Sequence, residues 1–180
     1  MTIRRFAALT AIFLLGACRE VADNPSNSVA MNESATTAAA KPATPVSAEQ
    51  ARKLFHERHE GMEKIGKSTK AIGQQLKSDS PDMAVVRSSA ATIADLAPKS
   101  AHWFPAGTDR NVLPKTRALP AIWQKPEDFA AKDRDFQEVA QVLNAAATAG
   151  DIDAVTARFA DLGKACKACH DTYRAEKHPK

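Results

Sequence analysis

The sequence predicts an all-α protein, an antiparallel four-helix bundle. Four stretches repeat apolar residues at spacings of three and four, the period of a helix with one buried face. No stretch sustains the alternation of a half-buried strand. Ser, Pro, Asp and Gly stand where those four stretches begin or end, the residues that start and stop helices.

The chain opens with a leader. Arg4 and Arg5 supply charge, and Phe6 to Leu15 form an apolar run too short to span a bilayer. Leu15-Gly16-Ala17-Cys18 resembles a bacterial lipoprotein signal. The resemblance implies removal of residues 1–17, lipidation of Cys18 and, because Arg19 follows rather than Asp, anchoring to the outer membrane. Residues 18–46 form the lipidated Cys and a tether rich in Ala, Thr, Asn, Ser and Pro, with no hydrophobic stripe, read as disordered. As a flexible coil it reaches roughly 30 Å. Residues 47–180 remain for one domain with one core.

The first helix starts at Ser47, where Ser47-Ala48-Glu49-Gln50 fits a capping box. Its seam is Phe55, Arg58, Met62, Ile65, Thr69, Ile72 and Leu76, and Arg58 is the one charge on it. The second helix is expected at Ser80-Pro81-Asp82, with Pro at the first helical position, and its stripe is Met83, Val86, Ala90, Ile93 and Ala97. Residues 98–125 form a long connection with Trp103, Phe104, Trp123 and prolines at 98, 105, 114 and 120. This composition suits an ordered cover rather than a slack loop. The third helix begins near Pro126 and turns Phe129, Phe136, Ala140, Leu143 and Ala147 inward. Gly150 suits its C-terminal stop and Asp151 the next cap. The last helix follows with Ile152, Val155, Phe159, Leu162, Cys166, Cys169 and Tyr173 on one stripe.

That last stripe contains Cys166-Lys167-Ala168-Cys169-His170, the C-x-x-C-H signature of c-type haem attachment. The two thiols lie about one turn apart, so both reach the vinyl groups of one porphyrin, and His170 turns its imidazole toward the iron. A zinc site would need a second ligand pair, and no other Cys lies near; a thioredoxin-like dithiol would need a βαβ context. The three Cys are then all used, one for lipid and two for haem. The expected cofactor is one covalent haem c per chain, built into the bundle core near the C-terminal helix. Covalent haem attachment in bacteria takes place outside the cytoplasm, which agrees with the leader.

Charge excludes one class of partner. The 25 Lys and Arg lose Arg4 and Arg5 with the leader, leaving a surplus of two over the 21 acidic residues. That balance does not fit nucleic-acid binding.

A haem motif on the last helix of a four-helix bundle resembles the cytochrome c′ class. The residues carrying the likeness are Cys166-Lys167-Ala168-Cys169-His170-Asp171-Thr172-Tyr173-Arg174, with Arg58 and Met62, Gly66, Gly107-Thr108 and Ile122-Trp123 in support. The resemblance implies a periplasmic monohaem cytochrome, often a homodimer through its first two helices. It leaves two states at the iron. In one, a Met on the first helix ligates iron and the protein carries electrons between redox partner proteins. In the other, the iron is five-coordinate and binds NO or CO.

Met62 matches the family's distal position, and its thioether would raise the reduction potential. Arg58, one turn away on the same face, is expected to meet a haem propionate, and Arg174 to flank the proximal face. His56, His59 and His102 are the alternatives to Met62; His56 and His59 are expected to face solvent, His102 sits in the long connection beside Trp103 within reach of a haem edge, and His178 lies in the tail. The leading expectation is electron transfer by a membrane-tethered cytochrome, with ligation by His170 and Met62. Gas binding is the alternative. An enzyme is not expected, since the presumed distal face offers no evident general base unless His59 turns inward.

Overall fold

The structure, a computed structural model, describes residues 44–176. In chain order the elements are α1 (Ala48–Gln75), α2 (Met83–Leu96), a 3-10 segment (Ala97–His102), one helical turn α3 (Ala121–Gln124), α4 (Pro126–Ala149) and α5 (Ile152–Tyr173). Among the described residues the only β pairing is an isolated antiparallel bridge between Ala118 and Arg174. The fold is the antiparallel four-helix bundle that the hydrophobic periods predict.

Local chemistry sets the helix ends. The Ser47 hydroxyl accepts the Gln50 amide at 3.2 Å and starts α1. The start of α2 differs from the sequence reading. Asp82, not Ser80, is the cap, its carboxylate accepting the amides of Ala84 at 2.8 Å and Val85 at 3.4 Å. Pro81 therefore precedes the cap instead of opening the helix. The cause is tertiary: the Gln75 side chain at the end of α1 accepts the Asp82 amide at 2.9 Å and fixes where the turn closes. Pro126 does open α4. Gly150 ends it with a left-handed φ of 77°, and the Asp151 carboxylate accepts the Ala154 amide at 2.9 Å to start α5.

α1 packs on α2, α2 on α4, and α4 on α5. Arg87 Nε donates to the Ala147 carbonyl at 3.2 Å, and Gln141 Nε2 donates to the Ala94 carbonyl at 3.0 Å, so α2 and α4 run antiparallel. Ile72, Val86, Ile93, Leu143, Val155 and Leu162 are fully buried between the four helices. α1 and α5, which should close the bundle, pack least and leave a cleft of about 770 Å³. Gly66, Thr69 and Gly73 from α1 and Thr156, Phe159 and Ala160 from α5 are among its walls.

The connection between the 3-10 segment and α3 is ordered by its own aromatics. Trp103 is buried against Gly61 of α1. The Trp123 indole N–H donates to the Phe104 and Pro105 carbonyls at 3.0 and 3.1 Å. Phe104 meets Phe129, and Phe129 meets Tyr173, each edge to face at 5.1 Å between centroids. Val46, at the end of the stretch read as tether, donates its amide to the Ala106 carbonyl at 3.0 Å, and Gly107 takes a φ of 86° beside it. Residues 1–43, which include the leader, Cys18 and most of the expected tether, lie outside the described residues, as does His178.

Candidate functional site

The cleft between α1 and α5 can be read residue by residue. The Phe159 ring lies 3.2 Å from where a Cβ on Gly73 would stand. Antiparallel helices share the same rise, so an equal step along each brings Cys166 level with Gly66, His170 level with Met62, and Arg174 level with Arg58. Gly66 has no neighbour within 4 Å of a Cβ position, which leaves open space opposite Cys166. Met62 is half-buried against the core.

Cys166 and Cys169 are free, half-buried thiols on one face of α5. Burial raises both above the usual thiol value. Cys169 goes up to about 11, with the Asp133 and Cys166 charges adding to the effect. Burial also lowers the His170 imidazole, and the nearby Arg174 and Arg117 guanidiniums lower it further while Asp171 opposes them. A neutral imidazole keeps a lone pair for a metal.

Arg58 is only 6 % exposed. It donates to the Thr116 hydroxyl at 2.8 Å and the Trp103 carbonyl at 3.4 Å, and its guanidinium lies 4.7 Å from the Phe104 centroid. Burial lowers its pKa to about 10, so it stays charged at neutral pH. Among the described residues no carboxylate pairs with it. A buried cation with only neutral partners lacks a counter-ion. Arg174 is exposed and sits in the bridge to Ala118. His56, His59 and His102 are exposed, His59 stacking on Phe55.

Two features here escape sequence reading. Residues 117–119 pair with the chain after α5. The Leu119 amide donates to the Tyr173 carbonyl at 2.9 Å, the Ala175 amide to the Arg117 carbonyl at 2.8 Å, and Arg117 Nε to the Ala175 carbonyl at 3.0 Å. No local pattern announces such a latch. Asp133 is the second: it falls on the buried stripe of α4 between Phe129 and Phe136, and a charge in that place is a signal of the same kind as Arg58.

The donor set suits a covalent porphyrin. Two thiols share a face, an imidazole adjoins them, a facing helix stands away, and an unpaired buried cation waits at the same end. The family profile described as Cytochrome C′ matches residues 53–174. Cytochrome c-554 of Cereibacter sphaeroides is 35% identical over 137 residues, covering 75% of this chain and 89% of that protein. Among solved structures, cytochrome c′ from Thermochromatium tepidum superposes with a TM-score of 0.66 at 35% identity, covering 74% of this chain and all of the other. A nitric oxide complex of a cytochrome c′ variant from Alcaligenes xylosoxidans superposes with a TM-score of 0.58 at 30% identity, covering 74% of this chain and 100% of the other. The chain belongs to the cytochrome c′ family and is a monohaem c-type cytochrome with one covalently attached haem c.

Proposed function

We propose that this cytochrome is an electron carrier on the periplasmic side of a bacterial membrane, and not an enzyme. Cys166 and Cys169 hold the porphyrin by thioethers, His170 provides the proximal nitrogen, and Met62 provides the distal sulfur. What carries the reading is the level placement of Met62 and His170 on facing helices. When bound, the haem supplies a one-electron iron couple. Arg58 offers its remaining N–H groups to a propionate, which gives the buried guanidinium its missing counter-charge. Arg174 flanks the proximal face, where its charge adds to burial in lowering the His170 pKa. Redox partner proteins take and deliver the electron, and pairing of two copies through α1 and α2 belongs to the same reading. So does lipidation of Cys18 with anchoring to the outer membrane, which the mass of the N-terminal peptide decides.

A second reading, reversible binding of NO or CO at an open sixth position, draws support from the nitric oxide complex of the Alcaligenes relative. Spectra of the haem-loaded protein separate the two. Electron transfer predicts sharp, split reduced bands that CO leaves unmoved, and Met62→Ala turns them broad and high-spin. A wild-type reduced spectrum that shifts promptly with CO, or a Met62→Ala spectrum identical to wild type, sinks the Met62 assignment.

A further inference from the structure

Asp133 is buried, 8 % exposed, on the inner face of α4. Its oxygens meet neutral donors only: Oδ1 accepts from the Ser100 hydroxyl of the 3-10 segment, and Oδ2 accepts from Gln137 Nε2 at 2.6 Å. Ser100 is 1 % exposed and has one hydroxyl proton with two acceptors in reach, Asp133 and the Ala97 carbonyl at 2.6 Å. The charged acceptor is the stronger, so the proton turns to Asp133. Its sequence neighbour Lys132 reaches away, to Asp128 at 3.5 Å, and among the described residues no cation pairs with Asp133.

The position matters as much as the charge. α4 and α5 run antiparallel from the turn at Gly150–Asp151, and near the other end the Tyr173 hydroxyl donates to Asp128. Equal steps along the two helices bring Asp133 level with Ala168, the residue before Cys169. An unneutralised carboxylate in a low-dielectric interior acts over several ångströms with little screening.

We propose that Asp133, held by Ser100 and Gln137, is the buried charge that sets the reduction potential of the haem at Cys169, stabilising the oxidised iron. The inference rests on haem attachment at Cys166 and Cys169. Asp133 acts on the iron through space, not as a ligand, and is a positioning and tuning group rather than a catalytic one.

The test is the midpoint potential of the full-length, haem-loaded chain, measured for wild type, Asp133→Asn and Asp135→Asn. Asn keeps the shape and one acceptor for Ser100 but removes the charge. Asp135 is exposed on the same helix, so its substitution removes the same charge into solvent. The expected result is a potential raised in Asp133→Asn and close to wild type in Asp135→Asn, with the rise insensitive to added salt. A potential that does not rise, or rises equally in both variants, overturns the proposal. Should Asp133→Asn fail to take haem, Ser100→Ala carries the test. It removes a donor that offsets the charge, so a lowered potential supports the proposal and an unchanged or raised one refutes it. Covalent haem staining is read on every sample: a wild-type chain without covalent haem sinks the haem-site reading itself, whereas haem-loaded variants with unmoved potentials sink only the role of Asp133.

Discussion

Gly61 is constrained by its neighbour rather than by its backbone. A Cβ there would stand 2.4 Å from Cη2 and 2.5 Å from Cζ2 of Trp103, and the indole, 4 % exposed, is boxed in. Gly61→Ala is therefore expected to cost about 1–3 kcal/mol, the usual range for overpacking, despite the better helix propensity of Ala. Chemical denaturation of the haem-loaded protein measures it, and a variant as stable as wild type would show that the indole is free to move. Because Trp103 also places the carbonyl that Arg58 uses, the substitution should disturb the Arg58 end of the cleft as well. At this scale the sequence was legible where chemistry is compressed into neighbours, as in Cys166 to His170. Gly61 was silent, because its partner stands forty-two residues away in a loop without a period.

Helices α1 and α5 begin where their caps predict and α4 begins at Pro126 as expected, whereas α2 departs because Gln75 reaches across the turn to the Asp82 amide. A side chain borrowed from the preceding helix leaves no mark in the local pattern. Asp133 did leave a mark, a charge on an apolar stripe, but its meaning appears only when the 3-10 segment brings Ser100 against it. Pairing of α4 with α5 offers an element-scale test, because Tyr173 is the chain's one tyrosine. Burial first, and then its hydrogen bond to Asp128, raises its pKa to about 12 from an ordinary value of 10.0. A raised folded value means that the contribution to stability is complete below pH 10 and is lost as pH rises through about 12. Tyrosinate absorbance of the folded protein should therefore appear about two units later than in the unfolded chain. In Asp128→Asn it should return only part of the way, since the larger cause, burial, remains. Titration of folded wild type at the ordinary value would mean that the α4–α5 contact is absent in solution.

The described residues form a bundle closed on three seams and open on the fourth. α4 and α5 are joined by a tight turn and the Tyr173–Asp128 contact, and the latch of residues 117–119 holds the end of α5. α1 leans on α2 and on the long connection, through Trp103 and the Arg58 bond to Thr116, but finds little of α5. The sequence could show four helices and one haem motif; it could not show which seam the haem fills, because hydrophobic stripes do not record a partner that is not polypeptide. The proposed haem seat rests instead on the cleft and the unpaired Arg58. If the haem completes the α1–α5 seam, its removal should loosen one helix rather than the whole bundle. In a Cys166→Ala, Cys169→Ala chain, hydrogen exchange should quicken first in α1, from Met62 to Gln75, while α4 and the α2 core around Ile93 keep most of their protection. Arg58, left without a counter-charge, adds to the loss at the other end of α1. Equal loss of protection in all four helices would mean that the haem supports the entire core, and unchanged protection in α1 would mean that the fourth seam closes without it.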